Sequence, residues 1–87
     1  MIENADREKI FKEIHEERKL QDAQWGGAET DDKRSTVDWI RFILYQMSNN
    51  KPTAYRERFI KIAALSIAAV ESIDRINEKF FRMRKSK

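Results

Sequence analysis

Glu13, Glu16 and Glu17 stand at i, i+3 and i+4, a spacing that sets three carboxylates on one side of a helix, as a magnesium ion would require. Glu71 and Asp74 form a second acidic pair, ExxD. Both groups lie among cations at pairing distance: Lys9, Lys12 and their neighbours around the first, and Arg75 four residues beyond Glu71. Solvated ion pairs therefore explain both better than a metal does. His15 is the lone histidine and has no second histidine or cysteine with which to build a metal site. It falls off the face that carries Ile10 and Ile14 and reads as a surface residue. No Gly-rich phosphate loop, GxSxG or HExxH occurs, so no catalytic residue and no metal ligand is assigned. No cysteine is present, which removes disulfides, thiolate metal sites and cysteine nucleophiles together and fits a reducing cytoplasm.

The remaining chemical feature is charge distribution. Of the 18 Lys and Arg, five (Lys79, Arg82, Arg84, Lys85 and Lys87) fall in the last nine residues, KFFRMRKSK, with no acid among them. The rest of the chain holds 13 basic against 15 acidic groups, so the formal net charge of +3 averages a mildly acidic body and a basic tail. Such a tail could touch nucleic acid, although cations also suit the negative pole of a helix end.

The elements that must position these groups are helical. Two glycines, one proline, 38% charged residues and periodic hydrophobics in 87 residues describe one small all-α domain, near the size where a single core barely suffices. The longest apolar run, Ile62 to Val70, is broken by Ser66 and is too short to span a bilayer, and the N-terminus is charged from its third residue, unlike a signal peptide. Three helices are expected, over residues 5–24, 36–49 and 54–82. The first buries Ile10, Phe11 and Ile14, carries pairs such as Lys9/Glu13 on its other side, and closes at Trp25-Gly26-Gly27. Residues 26–34 then read as an irregular polar loop. Ser35 and Asp38 have the form of a capping box for the second helix, which presents Ile40, Ile43, Leu44 and Met47 on one face with Trp39 beside it. Asn49 and Pro52 end that helix, and Thr53 can cap the third.

Tyr55 to Arg75, YRERFIKIAALSIAAVESIDR, is the most telling stretch, because its centre is apolar or small on every side of a helix. Such a helix must be surrounded, and so short a chain supplies few neighbours. Ala63, Ala64, Ala68 and Ala69 permit close approach of other helices. The expectation is a core completed by self-association into a larger helical bundle, as a homodimer or tetramer.

The order Glu17-Arg18, Gln21-Asp22, Trp25-Gly26, then Trp39, then YRxRFIKIAALSIAAVESIDR resembles small MazG-like proteins of phages and bacteria, related to the all-α nucleotide pyrophosphohydrolases. The resemblance covers residues 13–75 and implies a phage or prophage setting. Active members of that family hold magnesium on EExxE and ExxD motifs and release pyrophosphate from a nucleoside triphosphate. Matched from Trp39, the EExxE positions fall on Tyr45, Gln46 and Asn49, and the ExxD positions on Arg58 and Lys61. Every expected carboxylate is missing and two are replaced by cations, which would repel magnesium.

What the resemblance then implies is a groove in which Tyr45, Gln46 and Asn49 face Arg58 and Lys61, with Gln21 and Trp25 near its mouth. Cations and neutral hydrogen-bonding groups of this kind can hold a phosphate directly, without metal or other cofactor. The leading expectation is a non-catalytic helical binding module, taking a nucleotide or nucleotide signal without metal. Two alternatives stand beside it: a divergent magnesium-dependent pyrophosphohydrolase, and a nucleic-acid-associated protein using the basic tail. A plainer reading, with Arg58 and Lys61 on a solvated face and Asn49 as a cap, also remains open.

Overall fold

The structure is a computed structural model that describes residues 4–48 and 54–85. Four helices follow in order: α1, Asn4–Trp25; α2, Gly27–Asp31; α3, Thr36–Ser48; and α4, Tyr55–Lys85. No strand occurs among the described residues, and no helix among them is long and apolar enough to cross a membrane. The all-α expectation and the long last helix are seen, with α4 running three residues further than the pattern predicts. Asn49, Pro52 and Thr53, read as stop and start signals, lie outside the described residues.

The expected irregular loop at 26–34 is corrected by α2, a single turn of helix over Gly27–Asp31. Gly26 makes it possible. Its φ of 98° is left-handed, and its N–H closes α1 on the Asp22 carbonyl at 3.0 Å, so the chain turns and re-enters helix at once. A Cβ there would stand 2.5 Å from Thr30 Oγ1, so only glycine fits both the backbone and the space. The capping box forms as read: Ser35 N–H donates to Asp38 Oδ2 at 2.8 Å and Asp38 N–H donates to Ser35 Oγ at 3.2 Å.

Helices α1 and α3 both pack on α4, and α2 fills the end between α1 and α4. The buried hydrophobics are few: Ile14, Trp39, Ala64 and Ala68. The two alanines let the backbones of neighbouring helices approach α4, and Ala63 and Ala69 are half-buried beside them. The face expected of α3 is turned. Trp39 is buried, Phe42, Ile43 and Gln46 are half-buried, and Ile40, Leu44 and Met47 are at least half exposed. Apolar residues occur all round α3, and α4, the one helix among the described residues that packs on it, can cover one side only, which the bulky aromatic Trp39 takes. On α1, likewise, Ile14 is buried but Phe11 is exposed.

Candidate functional site

The polar residues of α1, α2 and α4 meet across helices rather than along them. Ser72 is 1% exposed, and its hydroxyl lies 3.2 Å from the Asp31 carbonyl and 3.0 Å from Asp32 Oδ1, with one proton to donate to either. One turn on, Arg75 grips Asp32 through Nε and Nη2 at 2.9 to 3.2 Å. That guanidinium holds the Asp32 carboxyl below its ordinary range. Arg18 lies 3.1 Å from Asp22, 3.2 Å from Glu71 and 4.0 Å from Asp31. Glu71 and Arg75, expected to pair with each other along α4, therefore serve α1 and α2 instead. Glu13, expected to pair with Lys9, is bound by both Nη atoms of Arg56 and titrates below the usual carboxylate range for that reason.

Asp31 is the strained member of this set. Only 6% of it is exposed, and burial pushes its carboxyl up, with Arg18 as the largest opposing influence. Arg34 approaches it at 3.7 Å while lying over the rings of Phe42 and Trp39, at 4.6 and 5.8 Å from their centroids. Thus the α2 turn is fastened between two arginines and the hydroxyl of Ser72.

Beside this knot, α1, α3 and α4 leave a groove of about 540 Å³. One wall is α1, with Glu17, Arg18, Gln21, Asp22, Gln24 and Trp25; the opposite wall is α3, with Trp39, Phe42, Tyr45 and Gln46. Lys61, Leu65 and Ala68 of α4 form the floor, and Asp31 with Arg34 closes one end. Trp25 is 57% exposed and Tyr45 70%, so both present ring surface to solvent. Gln21 donates from Nε2 to the Lys61 carbonyl at 3.5 Å, which turns its Oε1 inward, buried and without a partner among the described residues.

Five residues singled out in the sequence, Gln21, Trp25, Tyr45, Gln46 and Lys61, line this one groove. Arg58 does not. It is 7% exposed, its guanidinium lies 5.9 Å from the centre of the Tyr55 ring, and its Nη1 has no partner among the described residues. Asn49 lies outside the described residues. Lys61 has an exposed neighbour, Glu57, at 3.7 Å along α4. Sequence reasoning missed Arg34, Asp31 and Phe42 as groove residues. The signal for the first two was the charged segment between α1 and α3, whose helical turn depends on partners some 40 positions away.

The donor set does not fit magnesium. Among the described residues, no three His, Cys, Asp or Glu side chains form a group that could hold a metal ion. Glu13 and Glu16 are drawn to Arg56 and Lys19, while Glu17 faces the groove. His15 is exposed. No family model matches the chain, and comparisons with curated proteins and with solved structures give no match either.

Proposed function

We propose that this chain is a non-catalytic, MazG-like binding module that self-associates and takes a phosphorylated aromatic ligand, a nucleotide or nucleotide signal, in its groove without a metal. The observation that carries the reading is the convergence of two exposed aromatic residues, Trp25 and Tyr45, with Gln21, Gln46 and Lys61 around one groove. Rings of this kind stack on a nucleobase, and such stacking contributes about 1–3 kcal/mol per base. Arg18, Arg34 and Lys61 each have a carboxylate neighbour, but Lys61 is the most exposed of the three and its partner Glu57 is itself exposed, so Lys61 is the groove cation that a phosphate would most readily meet. A phage or prophage setting accompanies this reading through the resemblance alone, and a cytoplasmic one through the lack of cysteine.

A thermal-shift screen tests it. Nucleoside mono-, di- and triphosphates and cyclic dinucleotides are each added with magnesium and with chelator, and Lys61→Gln is run in parallel. Ligand that binds the folded state stabilises it by RT ln(1 + [L]/Kd), so modest affinity registers at millimolar concentration. Stabilisation in chelator, diminished in Lys61→Gln, is expected. Stabilisation only with magnesium, together with release of pyrophosphate, would return the hydrolase; no shift with any compound would overturn nucleotide binding.

The basic end of α4 supports a second reading. Lys79, Arg82 and Arg84 are exposed beyond the part of α4 that packs on α2, and Arg82 has Glu78 as its i,i+4 partner at 2.7 Å. Nucleic-acid binding there must fall steeply with salt and vanish on truncation after Glu78.

A further inference from the structure

The chain exposes 7377 Å², whereas a compact monomer of 10.4 kDa is expected to expose about 5,400 Å². Its radius of gyration is 15.5 Å against about 12 Å expected for this length. The excess, about 2,000 Å² for one chain, exceeds the roughly 800 Å² that each partner buries in a standard interface. Exposed large apolar side chains occur on α1, α3 and α4, and α4 carries the longest series of them.

Helix α4 carries two seams. Lys61, Leu65, Ala68, Ser72 and Arg75 face the groove and α2 and are used within the chain. About 90° around the helix, by its 100° step per residue, runs a second seam. From Phe59, steps of three and four alternate through Ile62, Ser66, Ala69, Ile73 and Ile76, and the next step reaches Phe80. Phe59, Ile73, Ile76 and Phe80 are 40–67% exposed, and the three between are half-buried. The sizes along this seam are nearly palindromic about its centre: aromatic, Ile, small, small, Ile, Ile, aromatic. One step before Phe59 stands Tyr55, 47% exposed, which completes the symmetry.

We infer that this second seam is the docking surface for a second copy of the chain, with the two α4 helices antiparallel about a two-fold axis between Ser66 and Ala69. This rests on the self-associating module proposed above and names the surface it uses. In that arrangement Ser66 meets Ala69 of the second copy, so the backbones approach closely at the axis. Ile62 then meets Ile73, Phe59 meets Ile76, and Tyr55 meets Phe80, each pairing occurring twice. A parallel pair would juxtapose Lys79, Arg82 and Arg84 with their own copies. Antiparallel packing holds those like charges at opposite ends of a helix about 46 Å long.

Sedimentation velocity of the full chain at micromolar concentration should give about twice 10.4 kDa. Because the chain has no cysteine, orientation can be read by introduced thiols. Ser66→Cys/Ala69→Cys should oxidise readily to a covalent dimer, and Phe80→Cys should not. Ile73→Asp should weaken the dimer by roughly a hundredfold, since it places a charge against Ile62. A monomer at every concentration, an unaltered dimer in Ile73→Asp, or covalent linkage of Phe80→Cys as ready as that of the double variant would each overturn the inference. Nucleotide binding is read separately, from the fluorescence of Trp25 and Trp39. A dimer that ignores nucleotide removes only the groove reading, and a nucleotide-binding monomer removes only the interface.

Discussion

Replacing Ser72 with alanine removes a hydroxyl that is 1% exposed and has two acceptors within reach, the Asp31 carbonyl and Asp32 Oδ1. One proton serves one acceptor at a time, so the loss is a single buried hydrogen bond, a net cost of about 1 kcal/mol. Asp32 keeps Arg75, which limits the damage, while the Asp31 carbonyl loses its side-chain donor from α4. Alanine is also the better helix former, returning about 0.5 kcal/mol at either serine of α4. The net expectation is a loss of roughly 0.5–1 kcal/mol, or about 2–8 °C in Tm for a chain of this size. Ser66→Ala is the internal standard. Its hydroxyl donates to the Ile62 carbonyl one turn back at 2.9 Å, a bond inside the helix, and alanine keeps the close approach inferred at the two-fold axis, so the change should be neutral or stabilising. Thermal unfolding by circular dichroism at one fixed protein concentration reads both, because a self-associating chain has a concentration-dependent Tm. Equal Tm values for the two variants would refute the idea that α2 is fastened to α4 through Ser72.

Gly26→Ala should destabilise by about 1–2 kcal/mol from left-handed strain, and by more than Gly27→Ala. Both glycines have positive φ, but only at Gly26 does a Cβ meet Thr30; urea unfolding of the pair checks the order. Stability should fall on acidification through the carboxylate range. Asp32, Glu13 and Asp38 titrate below their ordinary values, held by Arg75, Arg56 and the Ser35 N–H respectively, so their contribution is present above the unfolded pKa and lost as pH falls through the folded one. Asp31 has the opposite sign: its carboxyl is raised by burial, so ionising it costs stability as pH rises through the interval between its ordinary and raised values. Denaturant midpoints against pH should therefore drop more steeply in acid for Asp31→Asn, which removes the compensating group, than for the parent chain.

What was legible in the sequence was local. The capping box of Ser35 and Asp38 could be read because both partners lie within four residues, and Gly26 could be read as a terminator because its backbone freedom is its own property. The helix at Gly27–Asp31 could not, since its five residues, GAETD, have no periodicity and the turn is secured by Ser72, Arg75 and Arg18. The ion pairs failed for a related reason. Spacing shows which charges are neighbours along a helix, but Glu13, Glu71 and Arg75 found partners on other parts of the fold, where guanidinium groups reach carboxylates directly. The apolar stripe of α3 was visible as residues but not as a direction. Ile40, Leu44 and Met47 face outward because Trp39 fills the inner side. Five of the residues singled out in the sequence line the groove from three helices, whereas Arg58 lies by the ring of Tyr55 and not in the groove.

Both tryptophans of the chain line the groove, which makes intrinsic fluorescence a direct reporter of its occupancy. Titrating nucleoside triphosphate in chelator, with Trp25→Phe to isolate Trp39, is the measurement that bears most directly on metal-free binding. Saturable quenching that weakens in Lys61→Gln is the expected result; emission unchanged by nucleotide in chelator, in a chain that remains folded, would contradict it.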